Sequence, residues 1–177
     1  MRGRFVVIMV VACAAAAAHA QQSALVRGAE LLAPFQRDLQ GALQQGLAHG
    51  PAEAVAACRL QAPEIAQSRS QGGVRVGRAS DRLRNPANVP PEWVRPILNA
   101  YLANPSDRAP RAVSLPNRQS GYVEPILLQP LCLTCHGDSV APDLASRVKE
   151  LYPQDRATGF RVGDLRGVFW VEFPSVE

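Results

Sequence analysis

Methionine is almost missing from this sequence. Of 177 residues only Met1 and Met9 are methionine, both at the extreme N-terminus. If that terminus is removed, no thioether sulfur is left to serve as a soft metal ligand. Histidine is nearly as scarce, with His19, His49 and His136 the full set, which excludes a site built from several imidazoles. Lys149 is the lone lysine, so the basic residues are almost all arginine. No run of like charges occurs and the formal net charge is only +4, so the electrostatic footprint of a nucleic-acid binder is absent. Past the N-terminus no apolar stretch has the length of a membrane span.

What is present begins with an export pattern. Arg2 and Arg4 precede the apolar run Phe5 to Ala18, which is short for a bilayer span, and Ala18-His19-Ala20 has the small-x-small form of a cleavage site. The reading is a signal peptide over residues 1–20, followed by a single domain over 21–177 in a bacterial periplasm. A lipoprotein site at Val10-Val11-Ala12-Cys13 is the weaker rival, because more alanines follow Cys13 rather than a polar linker.

The chain is organised around Cys132-Leu133-Thr134-Cys135-His136-Gly137. CxxCH is the attachment signature of a c-type haem. The two thiols add to the vinyl groups of the macrocycle and the adjacent imidazole ligates the iron. A zinc site would need four ligands, and only one CxxC exists. A dithiol redox pair opens a helix in a βαβ setting, whereas Pro125, Pro130 and Gly137-Asp138 mark this stretch as a loop. One covalent haem is therefore expected, bound by Cys132, Cys135 and His136. Assembly of such haems outside the cytoplasm agrees with the export pattern.

Haem iron has a second axial position. His/Met ligation is excluded once Met1 and Met9 are removed. His49, Cys58, Lys149 or an open site remain. His49 sits beside Gly50 at a helix end, where a surface role fits better. Cys58 has no disulfide partner once Cys132 and Cys135 hold the haem. It lies on a helix beginning at Pro51, where Val55, Cys58, Ala62 and Ile65 share one face. That face points inward, and Cys58 is read two ways, as a ligand or as an inert buried thiol. The arginines are also open to two readings. Arg78, Arg84, Arg161 and Arg166 could pair with haem propionates, or tie loops together by hydrogen bonds.

In chain order, Ser23 to Ala48 has helical spacing, with Pro34 expected to kink it or start a second segment. The Cys58 helix is expected to run to Ser68 with a bend at Pro63. Gln71-Gly72-Gly73 is a turn and Val74 to Ala79 a strand. Arg84 to Pro91 is a loop, and Glu92 to Leu102 a helix in which Pro96 is awkward. Trp93 and Trp170 read as core residues. Asn104 to Arg118 is a proline-rich excursion, and Gly121 to Leu128 a strand interrupted by Pro125. Pro142 to Leu151 is a helix, and Val168 to Phe173 the clearest strand, expected to be central. Helices first and strands in mixed order give an α+β fold.

The stretches Val76-Gly77-Arg78-Ala79-Ser80, Arg84 to Asn88, Pro125-Ile126, Cys132 to Gly137, Tyr152 to Gly159 and Gly163 to Gly167, in that order, resemble the PAS-like monohaem c-type cytochrome domain family. Members of that family also serve as the sensor part of some histidine kinases. The resemblance covers about Glu30 to Phe173. It implies an antiparallel sheet of about five strands flanked by helices, with a long N-terminal helix. It also implies iron ligation by His136 and by the cysteine matching Cys58. A thiolate ligand stabilises ferric iron and implies a low potential.

Two functions follow from that reading. One is a redox or small-ligand (gas) sensor that reports through a protein partner, since the chain carries no kinase segment. The other is a soluble periplasmic electron-transfer cytochrome. Enzymatic catalysis is disfavoured, because no histidine other than His49 is left to act as a distal acid-base group.

Overall fold

The computed structural model describes residues 3–175, with side chains from residue 18 onward. Arg2, and the side chain of Cys13 on which the lipid-anchor alternative rests, lie outside that description. Helix α1 (Gly3–Ala48) turns at Gly50 into α2 (Pro51–Arg69), which leads to β1 (Arg75–Ala79). Then come α3 (Arg95–Ala103), β2 (Arg111–Leu115), β3 (Gln119–Leu127), the short α4 (Leu133–His136), α5 (Pro142–Leu151) and β4 (Leu165–Pro174). The strands form one antiparallel sheet in the order β1-β4-β3-β2, which puts β4 in the interior. The class is α+β with a long N-terminal helix, as expected. The sheet has four strands among the described residues, where the resemblance implied about five. The stretch between β1 and α3 carries Pro86, Pro90 and Pro91, each without an N–H to donate to a ladder.

Prolines explain most differences between expectation and fold. α1 continues through Pro34 without a second start. The bond Pro34 cannot make would go to the carbonyl of Glu30, an exposed residue whose backbone water can reach. Leu32 and Phe35, on either side of the proline, are fully buried and hold the helix to the sheet. α2 likewise runs through Pro63. α3 starts at Arg95, later than expected, so Pro96 falls in the first turn, where no N–H is needed. Pro125 does not interrupt β3. Its partner is Val168 on β4, while β2 pairs no further along β3 than Val123. At Pro125 the strand is thus an edge, where proline is tolerated.

The sheet separates two cores. Val168, Trp170, Val123 and Ala79 face α3 and pack with Ile97, Leu98 and Tyr101. Trp93 and Trp170 meet edge to face in this core, with ring centroids 6.2 Å apart. Val171, Phe173, Tyr122 and Val76 face α1, where they bury Leu32 and Phe35. Gly28 lets α1 approach β3 closely, because a Cβ there would run into the Cβ and Cγ of Tyr122. Gly28→Ala should therefore destabilise the protein by about 1–3 kcal/mol, although alanine is the better helix former. Urea unfolding should show a lower midpoint, and an unchanged or raised midpoint would refute this account of the contact. Among the described residues, no helix is long and apolar enough to cross a membrane.

Candidate functional site

On the α1 side of the sheet, where α1 and α2 join, lies a cavity of about 270 Å³. Leu43 and Leu47 of α1, Val55 of α2, and Ile126 and Phe169 of the sheet contribute its apolar wall. Phe35 braces Phe169 edge to face at 6.1 Å. The same cavity is lined by Cys58, Cys132, Cys135, His136, Arg78, Arg84 and Arg166. These seven residues therefore border one space, although they come from five separate stretches of chain.

The CxxCH stretch is helical rather than a loop. Pro130–Cys132 forms a 3₁₀ turn that runs into α4. Residues three apart on a helical turn point the same way, so both thiols reach the cavity. All three described cysteines, Cys58, Cys132 and Cys135, are free. Burial raises the Cys135 thiol above its ordinary pKa. Gly137 ends the turn, its N–H donating to the Leu133 carbonyl at 2.9 Å.

His136 is fixed from behind. Its Nδ1 lies 2.7 Å from the Ala157 carbonyl oxygen. A carbonyl only accepts, so Nδ1 carries the proton and Nε2 keeps its lone pair. Burial, assisted by the guanidinium groups of Arg84 and Arg166, holds the imidazole pKa down to about 3, so the ring is neutral. The loop supplying Ala157 is laced to the motif by two further bonds: Phe160 N–H to the His136 carbonyl at 3.0 Å and Gly159 N–H to the Gly137 carbonyl at 2.8 Å. Phe160 also stands edge-on to the imidazole at 6.4 Å.

Cys58 comes from the middle of α2. Burial raises its thiol pKa, and the charges of Arg78 and Arg84 partly offset this. The other second-ligand candidates are elsewhere. His49 and Lys149 are exposed and do not border the cavity.

The three arginines differ in what they already hold. Arg84 pairs with Asp155 at 3.1 Å and donates to the Cys135 carbonyl at 2.6 Å, so it ties two loops together. Arg166 donates to Ser80 Oγ at 2.8 Å and to the Arg82 carbonyl at 3.0 Å. Burial lowers its pKa to about 10. A register shift in the β3–β4 ladder makes Arg166 an extra residue between Leu165 and Gly167, and such a bulge re-aims a side chain. Arg78 makes no hydrogen bond or ion pair among the described residues, and burial lowers its pKa while Cys58 and Tyr152 raise it. It is the cavity cation left available for an incoming anion. Arg161, the fourth candidate, is exposed and off the cavity.

Sequence reasoning passed over Asp155 and Ala157 as site residues, although both fall within the Tyr152–Gly159 stretch. An acid beside an arginine-lined site was the available signal, but its partner Arg84 is 71 residues away.

A family model described as Tll0287-like matches residues 10–174. Among solved structures, that of the cyanobacterial haem protein Tll0287 is similar, with 33% identity and a TM-score of 0.51. The match covers 70% of this chain and 73% of that one. No curated protein matches.

Proposed function

The chain belongs to the Tll0287-like family, and on that premise we propose that it is an exported monohaem c-type cytochrome acting as a low-potential redox or small-ligand sensor. The proposed role is non-enzymatic and its signal goes to a protein partner. The observation that carries the reading is the shared cavity, which brings the His136 imidazole and the Cys58 thiol, 78 positions apart in the sequence, to one apolar space beside two free thiols.

The donor set fits a haem. The thiols of Cys132 and Cys135 would hold it covalently by adding across its two vinyl groups, each S–H bond giving a C–S and a C–H bond with nothing lost. His136 Nε2 and the Cys58 sulfur would be the two donors to its iron. Arg78 is available to balance a thiolate or a carboxylate. The bound group would supply a one-electron couple at iron and, if an axial ligand leaves, a coordination site for a diatomic molecule. Of the two donors, Cys58 would be the one suited to leaving, since burial favours its protonated thiol, whereas the Ala157 carbonyl holds His136 from behind.

The test is the spectrum of protein produced with an export and haem-attachment pathway. A c-type pyridine haemochrome of one haem per chain is expected, and its absence would overturn the proposal. Carbon monoxide should bind the reduced protein and shift its Soret band. A reduced spectrum indifferent to carbon monoxide would favour the electron-carrier alternative.

A further inference from the structure

Asp155 lies outside the ligand set, yet the contacts behind His136 converge on it. Its Oδ2 accepts from Arg84 Nη2 at 3.1 Å and its Oδ1 from Arg84 Nε at 3.2 Å. Both side chains are only 10% exposed. The same Oδ1 accepts the Ala157 N–H at 3.0 Å. The Ala157 carbonyl is the acceptor for His136 Nδ1, and Arg84 Nη2 closes the circuit at the Cys135 carbonyl, 2.6 Å away. One carboxylate thus holds the residue that orients the imidazole and, through Arg84, the backbone of the residue just before it.

We propose that Asp155 is the positioning residue for His136: it fixes the Ala157 carbonyl on Nδ1 and so sets the tautomer, the ring direction and the donor strength of Nε2. Outer partners of a ligating histidine do this in general, and their loss is felt at the metal. Alternatives on the page are weaker. Arg82 sits over the Phe160 ring at 3.9 Å, behind the same loop, but it donates to the carbonyls of Arg156 and Thr158 and touches neither His136 nor Ala157. Arg166 reaches the ring only through its charge. The geometric half of the inference stands on the polypeptide alone. The effect on the iron rests on the haem reading above.

Two variants separate these parts. D155N keeps an oxygen that can accept from Ala157 N–H, while D155A removes it. Nitrogen-15 NMR of the histidine side chains in the haem-free full chain should show His136 wholly as the Nδ1–H form in the wild type and in D155N, and partly as the Nε2–H form in D155A. A wild-type tautomer in haem-free D155A would overturn the proposal; with haem bound the iron itself would hold Nε2, and the effect of Asp155 is read from the spectrum and the potential instead. In the haem-loaded protein, D155A should change the g-values of the ferric electron paramagnetic resonance spectrum, and D155N should restore them. Both variants lose a negative charge near the iron, so the ferric–ferrous equilibrium should move toward ferrous, about threefold or more. Unchanged g-values and an unchanged potential in a D155A protein that still carries covalent haem would also overturn it. Wild-type protein without a haemochrome would instead overturn the haem reading, and the tautomer measurement would then decide the role of Asp155.

Discussion

Serine at both Cys132 and Cys135 should abolish covalent haem. Serine preserves size and changes one atom in each side chain, so the turn from Pro130 to His136 has no packing reason to unfold. Neither cysteine is fully buried, and among the described residues the only hydrogen bond to a motif sulfur is that from Gln129 N–H to Cys132 Sγ at 3.3 Å, which a hydroxyl can accept as well. What changes is nucleophilic character. A thiol adds across a vinyl group under attachment conditions and a hydroxyl does not, so the loss should be complete rather than graded. Haem staining of the denatured polypeptide should vanish, and acidic acetone should extract any haem still held by the cavity. Each single variant should keep one thioether, and its haemochrome band should move to longer wavelength because one vinyl group stays conjugated. Covalent haem in the double variant would show that attachment does not use this motif, and the central assignment would fall.

The motif was legible because CxxCH is local: three side chains within five residues carry the whole signal. Cys58 was legible by a different route, through composition. The absence of methionine beyond position 9 and the unpaired thiol on an inward helix face pointed to it before any contact was known, and the fold brings it to the cavity bordered by the motif. Less of the strand pattern could be read. In the sequence β2 reads as part of an irregular excursion because Pro110 and Pro116 bracket only five residues. The turn after it uses Asn117 and Arg118 at positive φ, in place of the Asn-Gly pair that normally announces such a hairpin.

The arginines show why side-chain roles were harder to assign than side-chain identities. Arg78, Arg84 and Arg166 look alike in sequence. The fold gives Arg84 an acid partner from a distant loop and puts Arg166 on a bulge facing Ser80, while Arg78 has no such partner among the described residues. None of these pairings is encoded by local spacing. The same holds for Asp155, whose importance arises only when the 152–160 loop is folded against the back of α4.

Cys58→Ala should have the second large effect, and it acts on the iron rather than on attachment. Covalent haem should be retained at wild-type level, because Cys132 and Cys135 are untouched. The ferric protein should lose its low-spin thiolate spectrum and become high-spin or water-ligated, since neither other internal candidate can take over: His49 and Lys149 are exposed and away from the cavity. Loss of a thiolate removes the negative charge that stabilises ferric iron, so the potential should rise by on the order of 0.1–0.3 V, within the roughly 0.8 V that axial ligands span. Arg78 strengthens the expectation. If Cys58 binds the iron as a thiolate, that anion would lie beside the Arg78 guanidinium, and with Cys58 gone the uncompensated cation would also favour the ferrous state. Stability should fall only modestly, because alanine leaves a gap of one sulfur atom at a half-buried position on a helix it suits well. Potentiometry and electron paramagnetic resonance on wild type and variant decide the matter. A Cys58→Ala protein with an unchanged low-spin ferric spectrum and potential would show that the sulfur is an inert buried thiol, and the low-potential sensor would lose its switching ligand.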